Sequence, residues 1–151
     1  MTDADAMMAA LTEARAAGEA GEVPIGAVLA HNGAIIASGQ NRVLRDNDPT
    51  AHAEIIALRA AARVLGNYRL NGCALYVTLE PCAMCAGAMI HARIHRLVAA
   101  AADPKAGACG SVLAVLNNPH LNHHMLYEQG LMAEEAGDLL RQFFRLRRGH
   151  H

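Results

Sequence analysis

Two short stretches hold the residue types that do metal chemistry. In "EPCAMC", residues 80–85, Cys82 and Cys85 stand three apart behind Pro81; in "TAHAEII", residues 50–56, His52 is followed two positions later by Glu54. Proline suits the first turn of a helix, so Pro81 predicts a helix start with both cysteines in its first turns and on one face. Helix N-termini favour negative charge, which lowers thiol pKa and stabilises the thiolates that zinc requires. Two sulfurs do not close a tetrahedral site. His52, placed by sequence in the first turn of a second helix, is the candidate third ligand. His52, Cys82 and Cys85 then leave a fourth position for water, the pattern of a catalytic zinc site rather than a structural one. Glu54 is a free carboxylate of the kind that serves as general acid and base beside such a water. On an ideal helix it lies about 200° around from His52, so the two converge only near a helix end.

Each feature alone has a plainer reading. A C-x-x-C pair also fits a redox motif or chance, and histidine followed by glutamate on a helix is uninformative by itself. Cys73 and Cys109 read as buried or incidental thiols, although either would serve as a fourth ligand in a closed structural site. The cluster His120, His123 and His124 suggests a polar surface or substrate loop before a second metal. His150 and His151 are too few to bind metal on their own.

The elements that must position these residues are legible from patterning. Residues 5–20 read as an amphipathic helix stopped by Gly21. "VPIGAVLA" and "AIIASG" read as a hairpin around Asn32-Gly33, which supplies the positive-φ residues of a tight reversal. "TAHAEIIALRAAARVLG" reads as a helix opened by Asp48-Pro49 and stopped by Gly66. "ALYVTLE" and "RLVAAA" read as strands flanking the cysteine helix. A short helix is predicted after "DPKAGACGS", then an edge strand over 127–131 and a last helix over about 133–148. Helices alternating with strands predict a three-layer α/β/α domain with a mixed sheet.

Composition bounds the rest. A chain of 151 residues with 53% hydrophobic and 18% charged residues is expected to form one globular domain over 1–151. No run approaches the roughly 20 apolar residues of a membrane span, and the acidic N-terminal stretch does not read as a secretory signal, so a cytoplasmic protein is expected. The formal net charge of −1 excludes broad electrostatic adhesion to nucleic acid. A local basic patch stands at "RQFFRLRR", which on charge alone reads as a solvated helix face.

The chain resembles the zinc-dependent nucleobase deaminases, whose signature is H-x-E followed by P-C-x-x-C. Within them it is most similar to the bacterial tRNA adenosine deaminases, through "EVPIGAVL", "NRVLRDNDPTAHAEI", "NYRLNGCALYVTLEPCAMCAGAMIHARI", "DPKAGACGS", "LNNPHLNH" and "FFRLRR". The resemblance implies a five-stranded cytidine-deaminase-like sheet, a homodimer, and hydrolysis of adenosine to inosine at the wobble position of a tRNA anticodon, with no DNA substrate. It implies one zinc ion on His52, Cys82 and Cys85, with Glu54 moving protons. Asn41 would hydrogen-bond the target base and the Ala53 N–H would line the same pocket. Asp103 would lie beside a neighbouring ribose, and Asn122 and His123 would contact the flipped nucleotide. Arg145, Arg147 and Arg148 gain weight as phosphate contacts, with at least one of Phe143 and Phe144 expected in the core. Relatives usually carry an aromatic residue and an arginine before the aspartate where this chain has Ala99 to Ala102. The competing readings are a small-molecule deaminase acting on guanine, cytosine or a nucleoside, and a structural zinc or RNA-binding module, which would need four ligands and no Glu54.

Overall fold

In the computed structural model, which describes residues 1–148, each predicted strand forms, and the helix boundaries show how the site is built. His150 and His151 lie outside the described residues. Helix α1 (Asp3–Glu19) starts two residues earlier than its apolar pattern suggests because Thr2 and Asp5 form a capping box. The Thr2 Oγ1 accepts from the Asp5 N–H (3.1 Å), and the Asp5 carboxylate accepts from the Thr2 N–H (3.0 Å). Strands β1 (Gly26–His31) and β2 (Ala34–Gln40) are joined by Asn32 (φ 52°) and Gly33 (φ 76°), both left-handed as a tight hairpin requires.

Helix α2 (Ala53–Leu65) begins later than Asp48-Pro49 predicts. The Asp48 carboxylate instead accepts from the N–H (2.8 Å) and hydroxyl (2.7 Å) of Thr50, closing a turn before the helix. His52 is therefore the N-cap, in extended conformation (φ −75°, ψ 153°). Strand β3 (Cys73–Leu79) leads into α3 (Ala83–Ala92), whose N-cap is Cys82 (φ −76°, ψ 176°), so Pro81 precedes the helix rather than opening it. Strand β4 (Arg96–Ala101), edge strand β5 (Leu126–Gln129) and α4 (Ala133–Arg148) complete the order. The short helix expected after residue 111 does not form. The Val112 and Leu113 N–H groups donate to the Gly107 carbonyl oxygen and the Val115 N–H to the Ala108 carbonyl oxygen, with Cys109 bridging Ala114, so the segment folds back on the preceding loop instead of starting a helical ladder.

The sheet order is β2-β1-β3-β4-β5, antiparallel at β2–β1 and β1–β3 and parallel from β3 to β5. Strands β2, β3, β4 and β5 thus run the same way, and the C-terminal ends of β2, β3 and β4 share one edge. Side chains alternate across the sheet. Ala27, Leu29, Leu75, Val77, Leu97 and Ala99 face α2 and α3, whereas Val28, Ala30, Tyr76, Val98 and Ala100 face α1 and Ala136 of α4. The three-layer α/β/α arrangement with a mixed five-stranded sheet is the one expected. Among the described residues, no helix is long and apolar enough to cross a membrane.

Gly39 fixes where α2 starts. A Cβ there would stand 2.4 Å from the Ala53 carbonyl oxygen and 2.7 Å from the Ala57 nitrogen, so only glycine lets the first turn of α2 lie directly on β2. Gly39→Ala is expected to cost about 1–3 kcal/mol, as overpacking does, and to loosen metal retention at His52. Thermal melts and metal analysis of the variant would check this; unchanged metal content would show that α2 is seated by other contacts.

Candidate active site

His52 and Cys82 cap two helices whose N-terminal ends meet at the C-terminal edge of the sheet. Neither side chain bonds its own helix, which frees both to point at a common centre. The His52 Nδ1 lies 3.6 Å from the Cys82 Sγ and 3.5 Å from the Cys85 Sγ. All three donor atoms fall within 4.8 Å of one another. A tetrahedral ion bonded at about 2.3 Å to sulfur and about 2.0 Å to nitrogen sets these atoms about 3.6 Å apart. The donor set therefore fits a four-coordinate transition ion with no rearrangement of the backbone.

The electrostatics favour an ion as well. The S–H of Cys85 and the ring of His52, both bonded to Cys82, outweigh burial and bring the Cys82 thiol down to about 3. Its bond to Cys82, together with burial, pushes the Cys85 thiol up. A cation arriving here would displace the proton that Cys85 tends to keep, because metal ligation requires thiolates. His52 is pushed up by its bond to Cys82. Two helix N-termini add partial positive charge behind the thiolates.

Among the described residues, no fourth histidine, cysteine or carboxylate joins this group. Cys73 starts β3 at the opposite edge of the sheet, with its sulfur 3.5 Å from the His31 Nδ1. Cys109 touches the Pro81 carbonyl oxygen at 3.9 Å, and burial pushes its thiol to about 12. An ion held here would have three protein donors among the described residues, leaving a fourth position for water.

Glu54 is the second helical residue of α2 and is 4% exposed. Burial pushes its carboxyl to about 7, with His52, Cys82 and Cys85 as its polar neighbours. A carboxyl tuned to neutrality beside an open metal position is the arrangement a proton-transfer group needs. The extended backbone at the His52 cap removes the 200° problem, because helical rotation begins only at Ala53.

Around this centre the sequence-derived binding residues divide. Asn41 is buried, and its Oδ1 accepts from the Ala53 N–H at 2.9 Å. The Ala53 N–H expected to face a ligand is thus bonded within the chain, and the Asn41 Nδ2 is the group left for a ligand. Asp103 follows β4 and closes a turn: its Oδ1 accepts from the Lys105 N–H (3.0 Å) and the Ala106 N–H (3.2 Å). Asn122 is exposed, and the His123 Nε2 is bonded to the Ile94 carbonyl oxygen at 2.7 Å. Ile94 follows the C-terminal end of α3, a helix of ten residues and so about 15 Å long, whose opposite end holds Cys82. Within one chain, Asn122 and His123 are not brought to the metal cluster.

The last helix does reach the site. A cleft of about 370 Å³ is lined by His52, Asn41 and Leu44 on one side and by Phe143, Phe144 and Arg147 on the other. Arg147 donates to the Gly21 carbonyl oxygen at 2.5 Å and lies 4.3 Å from the centre of the Phe143 ring. Arg145 and Arg148 are exposed. Neither phenylalanine enters the core, contrary to expectation; they pack edge to face at 5.4 Å, and Phe144 remains 45% exposed at the cleft.

Sequence reasoning missed two buried glutamates that hold the loops beside the site. Glu80 accepts from the N–H groups of Asp103 (3.1 Å), Cys109 (3.0 Å) and Ser111 (3.1 Å) and from the Ser111 hydroxyl. Burial opposes its charge, but these bonds outweigh it and hold the carboxyl below its usual range. Gly107 lies so close that a Cβ would stand 2.4 Å from the Glu80 Cδ. Glu22 holds the loop after β2 in the same way, through Leu44 and Arg45. Glu80 ends an apolar run with no basic neighbour in sequence, whereas nothing local marks Glu22.

The MafB19-like deaminase family profile matches residues 1–148. The chain belongs to this family. This deaminase is 51% identical to the tRNA-specific adenosine deaminase of Agrobacterium fabrum, over 94% of its own length and 93% of the relative's. A solved structure from work on A-to-I editing by tRNA:A34 deaminases at the wobble position of transfer RNA superposes with a TM-score of 0.87 at 49% identity, covering 90% of this chain and 99% of that one. A guanine deaminase from Nitrosomonas europaea is more distant, at TM-score 0.79 and 29% identity, covering 94% and 84%. The deaminase is a hydrolase with a cytidine-deaminase-like sheet.

The three-donor geometry predicts about one transition ion per chain. Cys85→Ser is expected to lose that ion and to abolish the rise in melting temperature that metal gives the wild type. Elemental analysis alongside thermal melts, with and without chelator, would check it; full metal content in the variant would count against the cluster.

Proposed function

We propose that this deaminase converts adenosine to inosine at the wobble position of a tRNA anticodon, with zinc held by His52, Cys82 and Cys85. The observation that carries the reading is the open fourth position of the cluster with Glu54 buried beside it. A closed structural site or a binding module has no use for that carboxyl. The reaction is hydrolytic: the oxygen of water bonds to C6 of adenine, the C6–N6 bond breaks, and ammonia leaves. Bound zinc supplies Lewis acidity that brings the ionisation of water toward neutral pH. Glu54 would accept the first proton of water and deliver it to N1, then take the remaining hydroxyl proton and deliver it to the departing amine. A carboxyl at about 7 can hold and release a proton at neutral pH. Asn41 orients the base through its Nδ2, and Asp103 would lie beside the ribose of a neighbouring nucleotide.

The shape of the cleft favours a base within a polynucleotide over a free base. Its outer wall is Phe144 and the arginine-bearing end of α4, both exposed, where a neighbouring nucleotide can lie. An anticodon loop presents unpaired bases, so extracting one costs less than from a duplex. The much higher identity to the tRNA-specific relative than to the guanine deaminase supports the same choice. Arg145 and Arg148 are free to meet phosphates, whereas Arg147 is engaged within the chain.

The chain acts as one domain, in the cytoplasm, and as a homodimer. Supporting the dimer, an apolar groove of about 390 Å³ runs between α2 and α3, lined by Ile55, Leu58, Tyr68, Leu70 and Ala88. Tyr68 is 69% exposed there, and a second copy of the chain would cover it.

Incubating the purified protein with an anticodon stem-loop bearing adenosine at the wobble position is expected to yield inosine by mass spectrometry, with free adenosine and guanine poor substrates. Preference for the free base would favour the small-molecule reading. Glu54→Ala is expected to keep metal and melting temperature while losing at least about 10²-fold in rate; retained turnover would remove its proton-transfer role. Arg145→Ala and Arg148→Ala should each lower the salt slope of RNA binding by about 0.7 to 1, and Arg147→Ala should leave that slope unchanged.

A further inference from the structure

Asn41 opens the loop after β2 and is fixed by three bonds. Its N–H donates to the Ile25 carbonyl oxygen (3.2 Å), its Oδ1 accepts from the Ala53 N–H (2.9 Å), and its carbonyl oxygen accepts from the Arg45 Nη2 (2.5 Å). The first two come from the sheet and from α2. The third comes from the loop itself, and Arg45 is held in turn. The Arg45 N–H and Nε donate to the Glu22 Oε2 (2.9 and 3.1 Å), the Leu44 N–H donates to the Glu22 Oε1 (3.0 Å), and the Arg45 Nη2 also meets the Gln40 Oε1 (2.9 Å). Glu22 is 2% exposed and the Arg45 side chain 28%. The pair is therefore shielded from water, and removing either partner leaves the other's charge poorly compensated. Another ion pair in the same loop, Arg42 with Asp46, is 38% and 37% exposed and bonds nothing else in the site. One loop thus carries a built clamp and an ordinary surface pair.

We propose that Glu22 and Arg45 are positioning residues for base selection: together they hold Asn41 so that its Nδ2 donates to the base nitrogen on the side of C6 away from N1. This rests on the reading that Asn41 contacts the target base. In a purine, C6 is flanked by the N1 side and the N7 side. Glu54 works at N1, and the Asn41 Nδ2, held next to Glu54's helix end by the bond from the Ala53 N–H to the Asn41 Oδ1, is the donor left to meet N7. The N7 atom is an acceptor in adenine, and the clamp fixes the Asn41 amide with its donor outward because the Oδ1 is already occupied by Ala53. Loss of the clamp frees the backbone of residues 41–45 to shift, and an amide displaced by about 1 Å no longer distinguishes an acceptor from a C–H.

The test compares rates on two anticodon stem-loops, one with adenosine and one with 7-deazaadenosine, which lacks the N7 acceptor. Wild type is expected to favour adenosine by about tenfold, the worth of one hydrogen bond, and Asn41→Ala to bring the ratio near one. Arg45→Met and Glu22→Gln are expected to bring it below about threefold, mainly by slowing adenosine, with metal content unchanged. Arg42→Ala should keep the wild-type ratio. Should Arg45→Met fail to fold, Arg45→Lys serves, because an ammonium keeps the charge but does not span Glu22 and the Asn41 carbonyl together. A clamp that is merely structural slows both substrates equally and preserves the tenfold ratio; that result overturns the proposal while leaving the role of Asn41 intact. No wild-type preference, or a preference that survives Asn41→Ala, overturns the contact between Asn41 and the base, and the clamp's role with it.

Discussion

Two helix N-termini meet at the C-terminal edge of a mixed sheet, and the site is a consequence of that meeting. A helix end leaves backbone N–H groups without intrahelical partners, so each end is a patch of partial positive charge. Here the residue at each cap is a metal-ligand type, and neither side chain turns back to satisfy its own helix. Two such ends repel each other unless negative charge lies between them. The thiolate of Cys82, and the second thiolate that an ion would draw from Cys85, provide it. The approach of α2 to β2 through Gly39 and the direct run from β3 into α3 make the meeting obligatory once the sheet has formed.

What the sequence revealed follows from how local each signal is. The grouping of His52, Cys82 and Cys85 with Glu54 nearby was legible because "HAE" and "PCAMC" each fit within one helix mouth, where spacing constrains geometry. The hairpin was legible from Asn32-Gly33 and the ends of α2 and α4 from composition. Where His52 sits was not: Asp48-Pro49 is a good helix start by type, but the Asp48 side chain prefers the nearby Thr50, and the true cap lies four residues on. The absent helix after residue 111 likewise comes from contacts that residue type does not announce, since the Val112, Leu113 and Val115 N–H groups are taken by the Gly107 and Ala108 carbonyl oxygens. Glu22 and Glu80 were invisible for that reason: their partners lie more than 20 residues away in sequence. At least one of Phe143 and Phe144 was expected in the core because nothing in their own helix marks which face meets a cleft.

Binding residues carried over from a family motif behave differently from ligands. Asn41 lies within reach of the cluster because the clamp and the Ala53 N–H hold it there. Asp103 has one carboxylate oxygen engaged by its own turn, the plain role its residue type predicts, which leaves the other oxygen for a further contact. Asn122 and His123 stand near the wrong end of α3 for their own cluster. A motif fixes residue identity at a position; only the packing of the intervening chain fixes what that position can touch.

The two buried glutamates hold the loops beside the cleft independently of the metal cluster. Glu22 secures the loop that carries Asn41, and Glu80 secures the loop that carries Asp103, one on each flank of the opening. Each anchor is a short, shielded carboxylate accepting three or more hydrogen bonds, rigid enough to hold a loop whatever residues project from it. The cluster itself depends on the helix mouths and not on these loops. Substitution in a loop therefore changes what enters the cleft without disturbing the ligands, while loss of an anchor changes the loop as a whole.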